Sequence, residues 1–132
     1  MSQQDNLRIV QEAFEAWNAH DVDRYAALLA ERCVEETHAR AAPVRGRQAA
    51  RAAMQRYLHD LPDLHFDLEL MIASGDQVFT RWLLTGTYSG EPMGTVRLDR
   101  QVREYGCTLS KLRRTSIVHV WHYWETDHMP SR

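Results

Sequence analysis

The sequence predicts an α+β fold: a cone-shaped, curved, mostly antiparallel sheet with three helices from the N-terminal half, together enclosing a pocket. Three observations predict it. Apolar residues recur at helical spacing before Pro62, the period changes to two after it and holds to Trp124, and 132 residues at 44% apolar suffice for one core but not for two comfortable ones. Early helices followed by a run of long strands imply helices packed on one face of a sheet. Residues 1–132 are therefore expected to be a single domain, with no internal repeat or linker.

Leu7, Val10, Phe14 and Trp17 line one face of a first helix from about residue 5 to 19. Asn18-Ala-His-Asp21 interrupts it, and Asp21 is suited to cap a second helix carrying Val22, Tyr25, Ala26, Leu28 and Leu29 and ending near Cys33. Val34 to His38 reads as a short strand and Ala41 to Gly46 as a turn. A third helix spans about Arg47 to Leu61, with Ala50, Ala53, Met54, Tyr57 and Leu58 as its apolar stripe and Pro62 as its stop. Leu64, Phe66, Leu68, Leu70 and Ile72 then alternate with polar neighbours and Met71, predicting a strand with those five on one face. Ser74-Gly75-Asp76 is a tight turn, Val78 to Tyr88 a second long strand, and Ser89 to Arg100 a loop with Gly90, Pro92 and Gly94. Val102 to Arg113 and Ile117 to Trp124 complete the series.

Charge excludes some functions. Sixteen basic and eighteen acidic residues give a net charge of −2, which offers no electrostatic attraction for nucleic acid or an anionic membrane. The clusters Arg45, Arg47, Arg51 and Lys111, Arg113, Arg114 read as a solvated helix face and a turn. No run approaches the ~18 apolar residues of a membrane span, and Met1 to Asn6 is polar, unlike an export signal. Cys33 and Cys107 have no ligand spacing and read as two buried thiols in a reducing, cytoplasmic setting. His119, His122, Glu125, Asp127 and His128 crowd together, but an odd spacing on a strand sends His119 and His122 to opposite faces. No metal and no organic cofactor is expected, since phosphate-loop and zinc-hydrolase spacings are absent too.

Alternation divides the later strands into faces. Val78, Thr80, Trp82, Leu84, Gly86 and Tyr88 form the better inward face of their strand, because the other carries Arg81. Between Glu104, Gly106, Thr108, Ser110, Leu112 and the intervening residues, composition does not decide. The last strand places Val118, Val120, His122 and Trp124 on one side and His119, Trp121 and Tyr123 on the other.

Phe14-Glu-Ala-Trp-Asn-Ala-His-Asp21, Arg45-Gly-Arg47, Pro62-Asp-Leu-His-Phe66, Arg81-Trp82 with Thr85-Gly-Thr87, and Ile117-Val118 leading to Trp121-His-Tyr-Trp124 carry a resemblance. Over nearly the whole chain they resemble SnoaL-like members of the nuclear transport factor 2-like superfamily, which includes polyketide cyclases, ketosteroid isomerases, epoxide hydrolases and dehydratases. The resemblance implies the cone fold and a pocket for a small apolar molecule; fold alone does not choose the reaction. Two departures stand out. Arg114-Thr115-Ser116 replaces the usual Asp-Gly turn, implying a wider hairpin, and no helical segment follows the last strand.

The resemblance also implies site residues. It turns Glu104 and Thr108 toward the cavity, gives His122 the position where active relatives carry an acid or base, with Glu125 next nearest, and puts His38 at the pocket mouth. His122 is thus a candidate general base, Glu104 or Glu125 a second acid or orienting group. The alternatives are a core histidine bonded to a neighbour, surface carboxylates, and a surface-loop histidine at position 38. Tyr25, Tyr57, Trp82, Tyr88 and Trp124 are candidates to line an aromatic-friendly pocket, or are simply core. The expected activity is cofactor-independent proton transfer, an aldol cyclisation or isomerisation, on an apolar or polycyclic carbonyl compound. The rivals are a non-catalytic binding module and a partner-binding role through the exposed sheet face. Phe79, Leu83, Trp121 and Tyr123 make that outer face apolar enough to predict a homodimer.

Overall fold

The computed structural model describes residues 2–38, 40–89 and 99–124, with Asp99 described by its backbone only. Its elements are α1 (Gln3–Asn18), α2 (Val22–Ala27), β1 (Leu29–Thr37), β2 (Val44–Arg45), α3 (Arg47–Asp60), β3 (His65–Ser74), β4 (Gln77–Ser89), β5 (Asp99–Arg113) and β6 (Ser116–Trp124). The strands form one six-stranded sheet in the order β2-β1-β6-β5-β4-β3, antiparallel except where β1 runs parallel to β6. The helices pack over one face of this sheet, and the core of Val10, Phe14, Met54, Val78, Trp82, Ile117 and Val120 lies between the layers.

Local chemistry explains the helix ends. Ser2 and Asp5 form a reciprocal capping box at the start of α1, and the Asp21 carboxylate accepts the Arg24 N–H at 3.0 Å to cap α2, as its position suggests. Asn18 clamps the start of β3 through its amide. It donates to Phe66 O at 2.9 Å and accepts from Phe66 N at 2.7 Å.

The structure corrects several boundaries and faces. The second helix ends at Ala27, and Leu29 already belongs to β1; Leu28 closes the last turn and the chain goes straight into pairing with β6. Val44 and Arg45, expected in a turn, pair with Glu35 and Val34. β5 begins at Asp99, earlier than Val102; residues 90–98 of the predicted loop lie outside the described residues. The five-residue apolar face of β3 is broken by a register shift between Leu68 and Leu70. A bulge adds one residue and exchanges the faces. Phe66 and Leu68 pack inward, Met71 and Ala73 take over after the shift, and Leu70 and Ile72 turn to solvent. A second shift in β6 makes Ile117, not Val118, the buried residue that precedes Val120. The β5–β6 hairpin is tight rather than wide: Arg113 pairs with Ser116, and Arg114 takes a positive φ of 58° to close it. Cys33 is buried, but Cys107 is only half-buried. No helix among the described residues is long and apolar enough to cross a membrane.

Candidate functional site

A cavity of about 200 Å³ lies between the helices and the inward face of the sheet. Most of its wall is apolar and aromatic: Phe14, Trp17, Phe66, Trp82 and Trp124 with Met54, Leu61, Leu64 and Leu84. The rings of Phe14, Trp17, Phe66 and Trp82 meet edge to face at centroid distances of 5.1–5.8 Å, which fixes the wall's shape. The turn after α3 closes the cavity along β4. Asp63 accepts from the Thr87 N–H at 2.7 Å and the Thr87 hydroxyl at 3.0 Å, and a Cβ on Gly86 would lie 3.2 Å from Leu61.

Strand register concentrates the polar groups. Thr37 of β1, His122 of β6, Thr108 of β5 and Thr80 of β4 are successive partners across four strands, one polar row in an otherwise apolar face. Glu35 sits two residues before Thr37, opposite Val120, so it shares the inward face with His122. The Tyr25 hydroxyl, from α2, donates to Glu35 Oε2 in a buried hydrogen bond. Burial raises the Glu35 carboxyl above its ordinary range, partly offset by the Tyr25 bond and the Arg40 charge. Burial, with the Glu35 charge, pushes Tyr25 far upward and keeps it a phenol.

Trp82 donates its indole N–H to Thr108 Oγ1 at 2.8 Å, and the same oxygen lies 2.8 Å from His122 Nδ1. The contact is possible because residue 106 is glycine: a Cβ there would fall 2.4 Å from Trp82 Cη2. His122 keeps partial access to solvent, yet the surrounding wall desolvates its charged form. Desolvation, with help from the Arg40 charge, lowers its pKa to about 4, so the ring is neutral near pH 7. Arg40 reaches the Tyr57 hydroxyl at 3.4 Å, and both residues border the cavity.

Of the residues singled out in the sequence, His122, Glu104, Tyr25, Tyr57, Trp82, Thr108 and Trp124 all line this cavity. Glu104 and Thr37 each have a further polar partner. Tyr88 is not part of the wall, because the Leu61–Leu64 turn seals β4 before it. His38 is exposed beyond the end of β1 and rests against the rings of Tyr123 and Trp124 rather than facing inward. Glu125 and the segment after Trp124 lie outside the described residues. His119 and His122 do face opposite ways: His119 meets Glu36 on the outer side. The sequence reading missed Glu35, Thr37 and Arg40. The first two fall within the predicted strand Val34 to His38, where alternation puts them on one face, but a carboxylate and a hydroxyl gave no sign that this face turns inward.

This architecture defines a nuclear transport factor 2-like protein, with its cavity between curved sheet and helices. Residues 7–129 match the SnoaL-like polyketide cyclase family, and the chain belongs to that family. Among solved structures it is similar to IdmH of Streptomyces antibioticus, provisionally named a polyketide cyclase, at 25% identity and TM-score 0.78 over 91% of each chain. A protein from Jannaschia sp. CCS1, provisionally a SnoaL-like polyketide cyclase, aligns at 20% identity and TM-score 0.82, covering 92% of this chain and 86% of that one. A provisional ketosteroid isomerase from Kribbella flavida aligns at 19% identity and TM-score 0.76, over 96% and 82%. No curated protein matches the chain.

Proposed function

We propose that the protein is a cofactor-independent enzyme that moves a proton α to the carbonyl of a small apolar or polycyclic compound, leading to aldol cyclisation or isomerisation. The observation that carries this reading is the convergence of Glu35, Glu104 and His122 on one largely apolar cavity. Family membership supports it, as do similar structures provisionally named for cyclase and isomerase chemistry.

Base strength assigns the roles. With its pKa near 4, His122 is unprotonated at neutral pH but a weak proton acceptor. Glu35, raised by burial, is the stronger base, and Tyr25 holds it in place. Glu35 therefore takes the α proton, and His122 faces the carbonyl oxygen where negative charge develops. The aromatic wall orients a flat substrate, with Tyr57, Trp82 and Trp124 supplying contact surface. Glu104, and Glu125 beyond the described residues, stand as a second acid.

The test is a side-by-side screen of wild type, Glu35→Gln and His122→Ala against polycyclic ketones and steroid-like enones. Losing the base should lower kcat about 10²- to 10⁴-fold in a folded Glu35→Gln protein. Full activity in that variant would remove Glu35 from the mechanism. Binding of such compounds without turnover by wild type would favour the binding-module reading instead.

The proposal extends to a single cytoplasmic domain acting as a homodimer on small molecules, with no metal or cofactor and with neither nucleic acid nor membrane as partner. Support for the dimer comes from the outer sheet face, where Tyr105 and Tyr123 are 47% and 49% exposed beside half-buried Phe79, Leu83 and Trp121. Light scattering at micromolar concentration should give about twice the chain mass; a clean monomer would rule the dimer out.

A further inference from the structure

We infer that Trp82 and Thr108 are positioning residues that hold His122 as its neutral Nε2–H tautomer, so that the ring meets a bound molecule as a hydrogen-bond donor to an oxygen acceptor. The inference rests on the proposed proton transfer only for its catalytic meaning, in which that acceptor is the carbonyl or enolate oxygen. The tautomer itself follows from the protein's own hydrogen bonds.

An indole nitrogen can only donate, so at 2.8 Å Thr108 Oγ1 must accept from Trp82. The hydroxyl has one proton to place. Its other contact is His122 Nδ1 at 2.8 Å, and among the described residues Thr108 makes no hydrogen bond to any other acceptor. Thr80 Oγ1, its neighbour in the same polar row, is buried without a partner, so the proton does not go there. A proton on Nδ1 would make Thr108 accept twice and strand its own hydrogen in a site that is almost fully buried. With Nδ1 accepting, every proton is used in sequence: Trp82 N–H to Thr108, Thr108 O–H to His122. A neutral imidazole then carries its remaining proton on Nε2, which has no protein partner among the described residues on a ring that borders the cavity.

The surroundings favour the same state. Among the described residues, the charged and titratable groups around the ring in this cavity are Tyr25 of α2, Glu35 of β1, Arg40 after β1, Tyr57 of α3 and Glu104 of β5. Arg40 and desolvation both oppose an imidazolium. Gly106 completes the device by leaving the space in which the Trp82 indole reaches Thr108.

Two-bond ¹H–¹⁵N correlation spectra of protein labelled with ¹⁵N-histidine read the tautomer directly and need no substrate. Wild type should show His122 with Nε2 protonated and Nδ1 bare, unchanged from about pH 5.5 to 8. Thr108→Ser keeps the hydroxyl and should retain that pattern. Thr108→Val removes it and should move both nitrogen resonances toward the averaged positions of a tautomer mixture. Trp82→Phe should do so in part. A wild-type Nδ1–H tautomer, an imidazolium at neutral pH, or a folded Thr108→Val protein with the wild-type spectrum would overturn the inference. If Thr108→Val does not fold, wild type and Thr108→Ser still decide it. A bare Nδ1 in a protein that turns over no carbonyl compound would end the proton-transfer reading and leave this one standing.

Discussion

His119 and His122 lie three residues apart on β6 and face opposite sides of the sheet, and their surroundings differ in kind. His119 sits on the outer side, 2.6 Å from a Glu36 carboxylate oxygen and stacked on Trp121 at 3.8 Å between centroids, where solvent reaches both partners. His122 sits inside, bonded to a neutral hydroxyl and lined up with other polar groups in an apolar cavity. A polar pair in contact with water contributes little, because the aqueous dielectric weakens both the attraction and the cost of breaking it. A polar chain cut off from water is strong when complete and costly when incomplete. The same residue type on one strand is thus an interchangeable surface group on one side and part of a fixed constellation on the other. Substitutions on the inner side should cost far more than those on the outer.

The largest effect is expected at Gly106. Alanine there would place a Cβ 2.4 Å from Trp82 Cη2 and 2.6 Å from the Tyr123 carbonyl oxygen, and a strand backbone cannot yield locally. Gly106→Ala should destabilise the protein by about 3 kcal/mol, near the upper end for overpacking. Urea midpoints would measure it. A change under ~1 kcal/mol would mean that the inner side adapts far more readily than a close-packed interior should.

Tyr25→Phe comes next. It deletes only the hydroxyl that donates to Glu35 and leaves a buried carboxyl without that partner. The expected loss is about 1–3 kcal/mol, the cost of an unsatisfied buried polar group. Glu35 should also titrate still higher, because the Tyr25 bond is what lowers it most. Side-chain carboxyl ¹³C shifts followed against pH would show the change.

The inner side was partly legible before the structure, and the misses share a cause. Strand alternation put Trp82 on a face that does turn inward and His122 with Trp124 on another, because period two survives wherever a strand is regular, while the resemblance was needed to turn Thr108 inward. Alternation failed at Leu70, Ile72 and Val118, each next to a register shift that it does not reveal. Glu35 was missed for a different reason. Its strand is short of apolar residues, reading Leu-Ala-Glu-Arg-Cys-Val-Glu-Glu-Thr, and the acidic pair Glu35-Glu36 looks like solvated surface. Only tertiary structure places one of the pair beneath Tyr25 and the other beside His119. The resemblance to the family singled out Glu104, Thr108 and His122, which do line the cavity, but it pointed to neither Glu35 nor Arg40.

Acid titration sharpens the comparison further. The folded-state pKa of His122 is near 4 and its ordinary value is 6.5, so between these the unfolded chain holds more protons than the folded one. The His122 contribution is therefore complete above about pH 6.5 and is lost as pH falls toward 4, with a slope of at most about 1.4 kcal/mol per pH unit. Glu35 works in the opposite sense. Its raised value contributes stability below the ordinary carboxyl range and loses it as pH rises through the folded value. Wild type shows the sum, so the His122 share must be isolated by variant. His122→Gln should have a flatter stability profile than wild type across that acid window, read from urea midpoints. Parallel profiles would show that the cavity does not desolvate the ring as its geometry implies.

The smallest effect is expected from the outer histidine, and it completes the contrast. His119→Gln keeps a polar side chain near Glu36 and gives up the imidazole's stacking on Trp121. Glu36 is 43% exposed at its side chain, so water can replace whatever bond the substitution removes. The expected change at neutral pH is within about 1 kcal/mol, the range for exposed pairs. The His122 nitrogen resonances should not move, since His119 projects to the other face of the sheet and has no part in the Trp82–Thr108 chain. A loss above ~2 kcal/mol would show that the outer side is not open to water in solution. Repeating the measurement across protein concentration would give the reason: if the loss grows as concentration rises, Glu36 and His119 are covered by a second copy of the chain.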